Sequence, residues 1–92
     1  MNPKFKKIKD KILGKKYELS LVFCGNALSR KLNRIYRGKD KTANVLSFPL
    51  SENSGEIFIN LSTLNGFSVE NLFIHGCLHL KGMRHSARML RV

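Results

Sequence analysis

A chain of 92 residues has room for one domain, residues 1–92, with a core too small to supply much stability by itself. Seventeen basic residues against six acidic ones leave a formal net charge of +11, which favours a partner built of phosphates, with nucleic acid preferred over an anionic membrane surface. No apolar run approaches the length of a membrane span, and no apolar stretch follows the charged N-terminus, so a cytoplasmic protein with two free thiols, Cys24 and Cys77, is expected.

The basic residues fall in three blocks. Seven Lys lie in the Lys-rich segment 1–16, six Lys or Arg between Arg30 and Lys41, and the last four are Lys81, Arg84, Arg88 and Arg91; residues 42–80 carry none. Residues 3–13 predict a basic helix ending near Gly14, whose apolar stripe (Phe5, Ile8, Ile12, Leu13) is too thin for a good interfacial helix. Tyr17 to Cys24 alternates and then turns apolar, which predicts a strand. Gly25-Asn26 predicts a turn, with Asn26 as N-cap of a helix from Ala27 to Tyr36 that carries Leu28, Leu32 and Ile35 on one face and ends at Gly38. Val45 to Leu50 predicts a second strand, at an edge or ending there because of Pro49. After a polar turn at 51–54, Glu56 to Asn60 predicts a third strand, and the short link makes the pair a hairpin. Residues 61–67 read as a loop or short helix. Ser68 then caps a helix from Val69 to about Lys81, with Glu70 in its first turn; its apolar residues run nearly all round, so it is expected to be buried.

All three histidines of the chain lie in one window, HGCLHLKGMRH, from 75 to 85. His75 and His79 are four apart, which on a helix places them about 40° apart on one face, the spacing that offers two imidazoles to one metal ion. His85 would point away if the helix continued; Gly82 is expected to end the helix and turn the chain so that His85 completes the set. Cys77 lies about 200° round from His75 and cannot join without unwinding the helix, whereas Cys24 stays open as a further ligand. Three histidines with an open fourth position form the catalytic pattern for a divalent ion, with zinc expected and another divalent transition metal possible. The spacing is that of the metzincin-like zinc peptidase signature H-E-x-x-H-x-x-G-x-x-H, except that Gly76 stands where those peptidases carry the glutamate that acts as general base. Peptide hydrolysis by that route is therefore not expected.

The same window resembles the H-G-x-L-H-L-x-G-Y-D-H signature of the YbeY-type ribosomal RNA maturation endoribonucleases. Leu32 to Leu50, LNRIYRGKDKTANVLSFPL, is similar to that family's LNxxYRGKDKPTDVLSFP, and Gly55-Glu56-Ile57 to its G-D-I/V, all in family order over about residues 17–85. Departures are Met83-Arg84 for the family's Tyr-Asp and Thr42-Ala43-Asn44 for its Pro-Thr-Asp. The chain also stops seven residues after His85, where family members usually continue into an acidic C-terminal helix, so it reads as a short, C-terminally truncated member.

The resemblance implies an α+β fold, a small mixed β-sheet packed against helices, with zinc held by His75, His79 and His85 at the end of a buried helix. It implies a metal-dependent endoribonuclease of single-strand type acting in ribosomal RNA maturation and ribosome quality control, with RNA and ribosomal subunit proteins as partners. It also marks Arg37 as functionally essential. Arg37 is expected to bind a phosphate and stabilise transition-state charge, while Arg34, Lys39 and Lys41 position the backbone without reading sequence. No general base stands out; Glu56 and Asp40 are the nearest candidates. The rival expectations are an RNA- or ribosome-binding module in which the metal only stabilises the fold and, further off, a metallopeptidase.

Overall fold

The computed structural model describes residues 1–90, with side chains through Met83. Its elements are α1 (Pro3–Ile12), β1 (Glu18–Cys24), α2 (Asn26–Arg37), β2 (Val45–Ser51), β3 (Ser54–Asn60) and α3 (Val69–Leu90). The expected α+β fold with a small mixed sheet is present. Strand order is β1-β3-β2: β2 and β3 form the expected antiparallel hairpin, and β3 pairs on its other side with β1 in parallel, Glu18 opposite Ser54 through Cys24 opposite Asn60. β2 is thus an edge strand, which is where Pro49 can sit without breaking a ladder. No helix among the described residues is long and apolar enough to cross a membrane.

The pleat divides the two faces of the sheet. Ile57 and Ile59 on β3, both fully buried, meet Leu72, Phe73, Cys77 and Leu80 of α3, with Phe5, Ile8 and Ile12 of α1 packed at the margin. Phe48 and Phe58 point the other way, towards α2. Gly55 of β3 is required by this packing. A Cβ there would stand 2.5 Å from the Tyr17 hydroxyl and 3.1 Å from the Phe48 carbonyl oxygen.

α1 begins with Pro3 at a position where the missing N–H costs nothing, and the Asn2 side chain accepts from the Lys4 N–H at 2.8 Å. Its C-terminal end is held by Lys9, which is almost fully buried. The Lys9 ammonium donates to the carbonyls of Gly14 (3.2 Å) and Lys15 (3.3 Å) and pairs with Asp10 at 2.5 Å. Lys9→Met keeps the aliphatic stem but leaves both carbonyls without that donor. It is expected to cost about 1–3 kcal/mol in urea unfolding; an unchanged midpoint would show that the ammonium contributes nothing to the folded state.

Two expectations need correction, and one feature was not foreseen by the periodicity. First, Asn26 is the first helical residue and Gly25 the cap position; the Asn26 side chain instead accepts from Asn60 Nδ2 and from the Thr63 hydroxyl. The unforeseen feature is that α2 does not bury its leucine face. Ser29 and Asn33 are buried, while Leu28 and Ile35 are 40% and 55% exposed, because the inward face anchors a loop by hydrogen bonds instead of filling a core. Second, α3 neither ends near Lys81 nor is buried all round. It runs through Gly82 to Leu90, and Gly82 is not among the glycines at positive φ (Gly14, Gly38, Gly66). A single interior glycine costs only about 1 kcal/mol relative to alanine, and good helix formers such as Lys81, Met83 and Ala87 flank it with no proline. His75, Leu78 and His79 lie on the solvent side of α3.

Candidate functional site

The free edge of β2 is the floor of a cleft of about 480 Å³. Residues 43–49 form the floor, Tyr36 and Arg37 at the end of α2 form one rim, and His75, His79 and Met83 of α3 form the other. The first rim is positioned by the C-terminal end of α2. Gly38 takes φ 69° and stops the helix directly after Arg37. Beyond it the chain returns along α2, held by side chains. The Ser29 hydroxyl donates to the Ala43 carbonyl (2.7 Å) and accepts from the Ala43 N–H (2.9 Å); Asn33 Nδ2 donates to the Lys41 carbonyl (2.9 Å). Asn60, fully buried at the end of β3, donates to Asn26 (2.9 Å) and to the Ala43 carbonyl (3.3 Å) and accepts from the Ser62 N–H (3.0 Å). These polar anchors bring the 39–44 loop into β2 and fix where Arg37 leaves the helix.

The second rim is set by a close approach of α3 to the sheet. At Gly76 a Cβ would come within 2.9 Å of Ile57 Cδ1 and 3.1 Å of the Ser47 hydroxyl, which itself donates to the Gly76 carbonyl at 3.2 Å. Contact between helix backbone and strand at this point leaves the neighbouring His75 and His79 on the open side. Their Nε2 atoms lie 3.0 Å apart, one ring donating and the other accepting, with ring centroids 4.5 Å apart. Two imidazole nitrogens bound to one tetrahedral ion at about 2.0–2.1 Å lie about 3.3 Å apart, so this pair needs almost no movement to hold zinc. The remaining expected ligand, His85, lies where side chains are outside the described residues; among those that are described, no group of three or more His, Cys, Asp or Glu side chains gathers around one point.

The cysteines do not contribute. Cys77 is fully buried on the opposite side of α3, and burial pushes its thiol up to about 12, so it stays protonated. Cys24 is on β1, separated from the cleft by the whole width of the sheet. Asp40 forms a two-pronged pair with Arg30 (2.9 and 3.2 Å), whose guanidinium holds the carboxyl below its ordinary range; it is poorly suited to take a proton near neutral pH. Neither Asp40 nor Glu56 lines the cleft, and no carboxylate does among the described residues.

The blocks that a YbeY-type chain should bring together, YRG at 36–38 and HGCLH at 75–79, therefore face each other across one edge strand. The family model described as Endoribonuclease YbeY matches residues 3–90. The chain belongs to that family. A protein named Endoribonuclease YbeY from Ehrlichia ruminantium (strain Gardel) is 36% identical over 88 residues, covering 79% of this chain and 56% of its own length. Those from Beijerinckia indica and Campylobacter fetus are 40% and 38% identical, covering 74% and 91% of this chain and 41% and 75% of their own lengths. The chain thus spans about half the length of the Ehrlichia ruminantium protein.

Of the residues singled out in the sequence, Arg37, His75 and His79 share the cleft. Arg34, Lys39 and Lys41 are exposed beside it but do not line it. Sequence reasoning missed Tyr36, Ser47 and Phe48, which do line it, and the anchors Ser29, Asn33 and Asn60. Ser29 and Asn33 carried a signal: polar residues at i and i+4 on an otherwise amphipathic helix mark a face that hydrogen-bonds a neighbouring segment.

Proposed function

We propose that this YbeY-family chain is a metal-dependent endoribonuclease that cuts single-stranded RNA in ribosomal RNA maturation and ribosome quality control. The observation that carries the reading is the meeting of Arg37 with the converging His75 and His79 nitrogens in one cleft; the names of the relatives support it. His75 and His79 would hold zinc, with His85 as third ligand. Zinc bound there supplies Lewis acidity at neutral pH. Arg37, on the facing rim, grips a phosphate through paired N–H donors and offsets the charge that develops as the phosphodiester breaks. Arg34, Lys39 and Lys41 attract the strand by charge alone. Bringing His85 to the pair requires α3 to open between 79 and 85. Gly82 is the natural point, since no described atom outside its own stretch of helix lies within 4 Å of where its Cβ would stand and glycine costs least to re-form as a turn.

The uninterrupted helix through Gly82 favours a second reading, an RNA- or ribosome-binding module with a metal that only stabilises the fold. The metallopeptidase reading loses ground, because the close approach at Gly76 leaves no room for a glutamate at that position. Elemental analysis and a cleavage assay on single-stranded RNA separate these readings. One zinc per chain is expected, with cleavage lost on chelation and in His79→Ala while the variant stays folded. One metal per chain with no cleavage above a stripped control selects the binding module; cleavage that survives both chelator and His79→Ala overturns the metal role.

A further inference from the structure

Charge is unevenly shared around the cleft. The floor, residues 43–49, contains no charged side chain, and the only cation among the described lining residues is Arg37. Immediately before it stands Tyr36, 65% exposed, with its ring centroid 5.2 Å from that of Phe48 at 55°. Phe48 in turn meets Phe58 edge-on, centroids 5.8 Å apart at 69°. Tyr36 is therefore supported on one side by a cluster of tilted and edge-on rings rooted in the sheet and is open on the other. A ring whose task was to cover Phe48 would bury itself doing so; most of this one faces solvent at the mouth of the cleft. The last turn of α2, stopped by Gly38, thus presents a planar apolar surface beside a phosphate-binding cation, over a neutral floor with Asn44 and Ser47 as polar groups.

We propose that Tyr36, backed by Phe48, is a stacking platform for one nucleobase of single-stranded RNA, next to the phosphate held by Arg37; the inference rests on the RNA-cleaving reading above and deepens it. A nucleobase has a π-face whatever its identity, so such a platform grips without reading sequence. In a duplex that face is already stacked on its neighbours, and the narrow groove of the A-form helix keeps side chains from it. Tyr36 therefore selects single strands over duplexes, while Arg37 sets the position of the backbone.

The chain has no Trp and two Tyr, and the other one, Tyr17, is 4% exposed. Both rings emit, but only Tyr36 is open to contact with a bound strand, so a change in tyrosine emission on binding reports on Tyr36. The full chain is titrated, after chelation so that no strand is cut, with a labelled single-stranded 2′-O-methyl oligoadenylate and with a strand of the same length carrying abasic sites. Tyr36→Ala is expected to weaken binding to the oligoadenylate about 5- to 100-fold. Tyr36→Phe should bind within about twofold of the parent, since the ring face remains. Binding should quench tyrosine emission in the parent and leave it unchanged in Tyr36→Phe. The abasic strand should bind the parent as weakly as the oligoadenylate binds Tyr36→Ala. Unchanged affinity in Tyr36→Ala, an equal loss on the abasic strand, or binding without quenching overturns the platform while leaving the RNA-cleaving reading intact. A parent chain that binds neither strand and cleaves no RNA overturns both.

Discussion

Gly76→Glu is expected to unfold the chain. Position 76 is where α3 touches the sheet, and a Cβ there already meets Ile57 at 2.9 Å and Ser47 at 3.1 Å. Ile57 is fully buried and cannot step aside without disturbing Ile59, Phe73 and Cys77 around it. A carboxylate placed at this contact adds the cost of an uncompensated buried charge to the overlap. A domain of this size has only about 5–14 kcal/mol to lose. Gly76→Ala gives the milder version. It gains up to about 1 kcal/mol in helix propensity but must push Ile57 away, for a net loss of about 1–2 kcal/mol and a melting temperature lower by roughly 5–15 °C. Circular dichroism melts of both variants check this. A Gly76→Glu chain that melts cooperatively at the parent's temperature would show that helix and strand can separate at this point, and would restore the glutamate-bearing peptidase arrangement as a sterically open one.

Arg37→Ala should abolish most cleavage while leaving the fold alone. The side chain is exposed at the end of α2 and appears in no ion pair or hydrogen bond with a described side chain, so its removal is expected to change stability by no more than about 0.5 kcal/mol. If it stabilises charge in the transition state, kcat should fall by about 10²–10³. Arg37→Lys should recover only part of this, because an ammonium cannot give two parallel N–H bonds to one phosphate. Steady-state cleavage of a single-stranded RNA, alongside a thermal melt, provides the measurement. A variant within threefold of the parent would remove Arg37 from the reaction, and a parallel fall in melting temperature would assign it a structural role instead.

The strands and their hairpin were readable because the side-chain period changes to two and the turns carry the usual polar residues; Pro49 correctly marked β2 as an edge. Gly38 was readable as a helix stop because it is followed by a charged, polar stretch. Gly82 was not, because a glycine among helix formers costs too little to break a helix unaided. The inward face of α2 was not readable for a related reason. Hydrophobic periodicity finds faces that bury apolar area, and this face buries Ser29 and Asn33 to hold the 39–44 loop. Gly76 carried two meanings at one position. Its residue type showed that a general base was absent; only the 2.9 Å approach to Ile57 shows that packing excludes one. The pairing of Arg37 with His75 and His79 was legible only through resemblance, since no periodicity links positions so far apart in sequence.

The mixed sheet also orders the assembly of the chain. β2 and β3 are joined by a short turn and can meet within about 1–10 μs. β1 reaches its parallel place beside β3 only after α2 and the whole hairpin have been threaded between them, a closure that is slower because its contacts are distant in sequence. The strand pair that floors the cleft is thus expected to form before β1 docks. Until β1 arrives, the apolar run Ile57-Phe58-Ile59 has one row of amides and carbonyls unpaired, open to the same row on a second nascent molecule. A net charge of +11 keeps two such molecules apart during that interval. The same charge that suits the chain to a partner built of phosphates is therefore expected also to oppose self-association through the central strand before β1 docks.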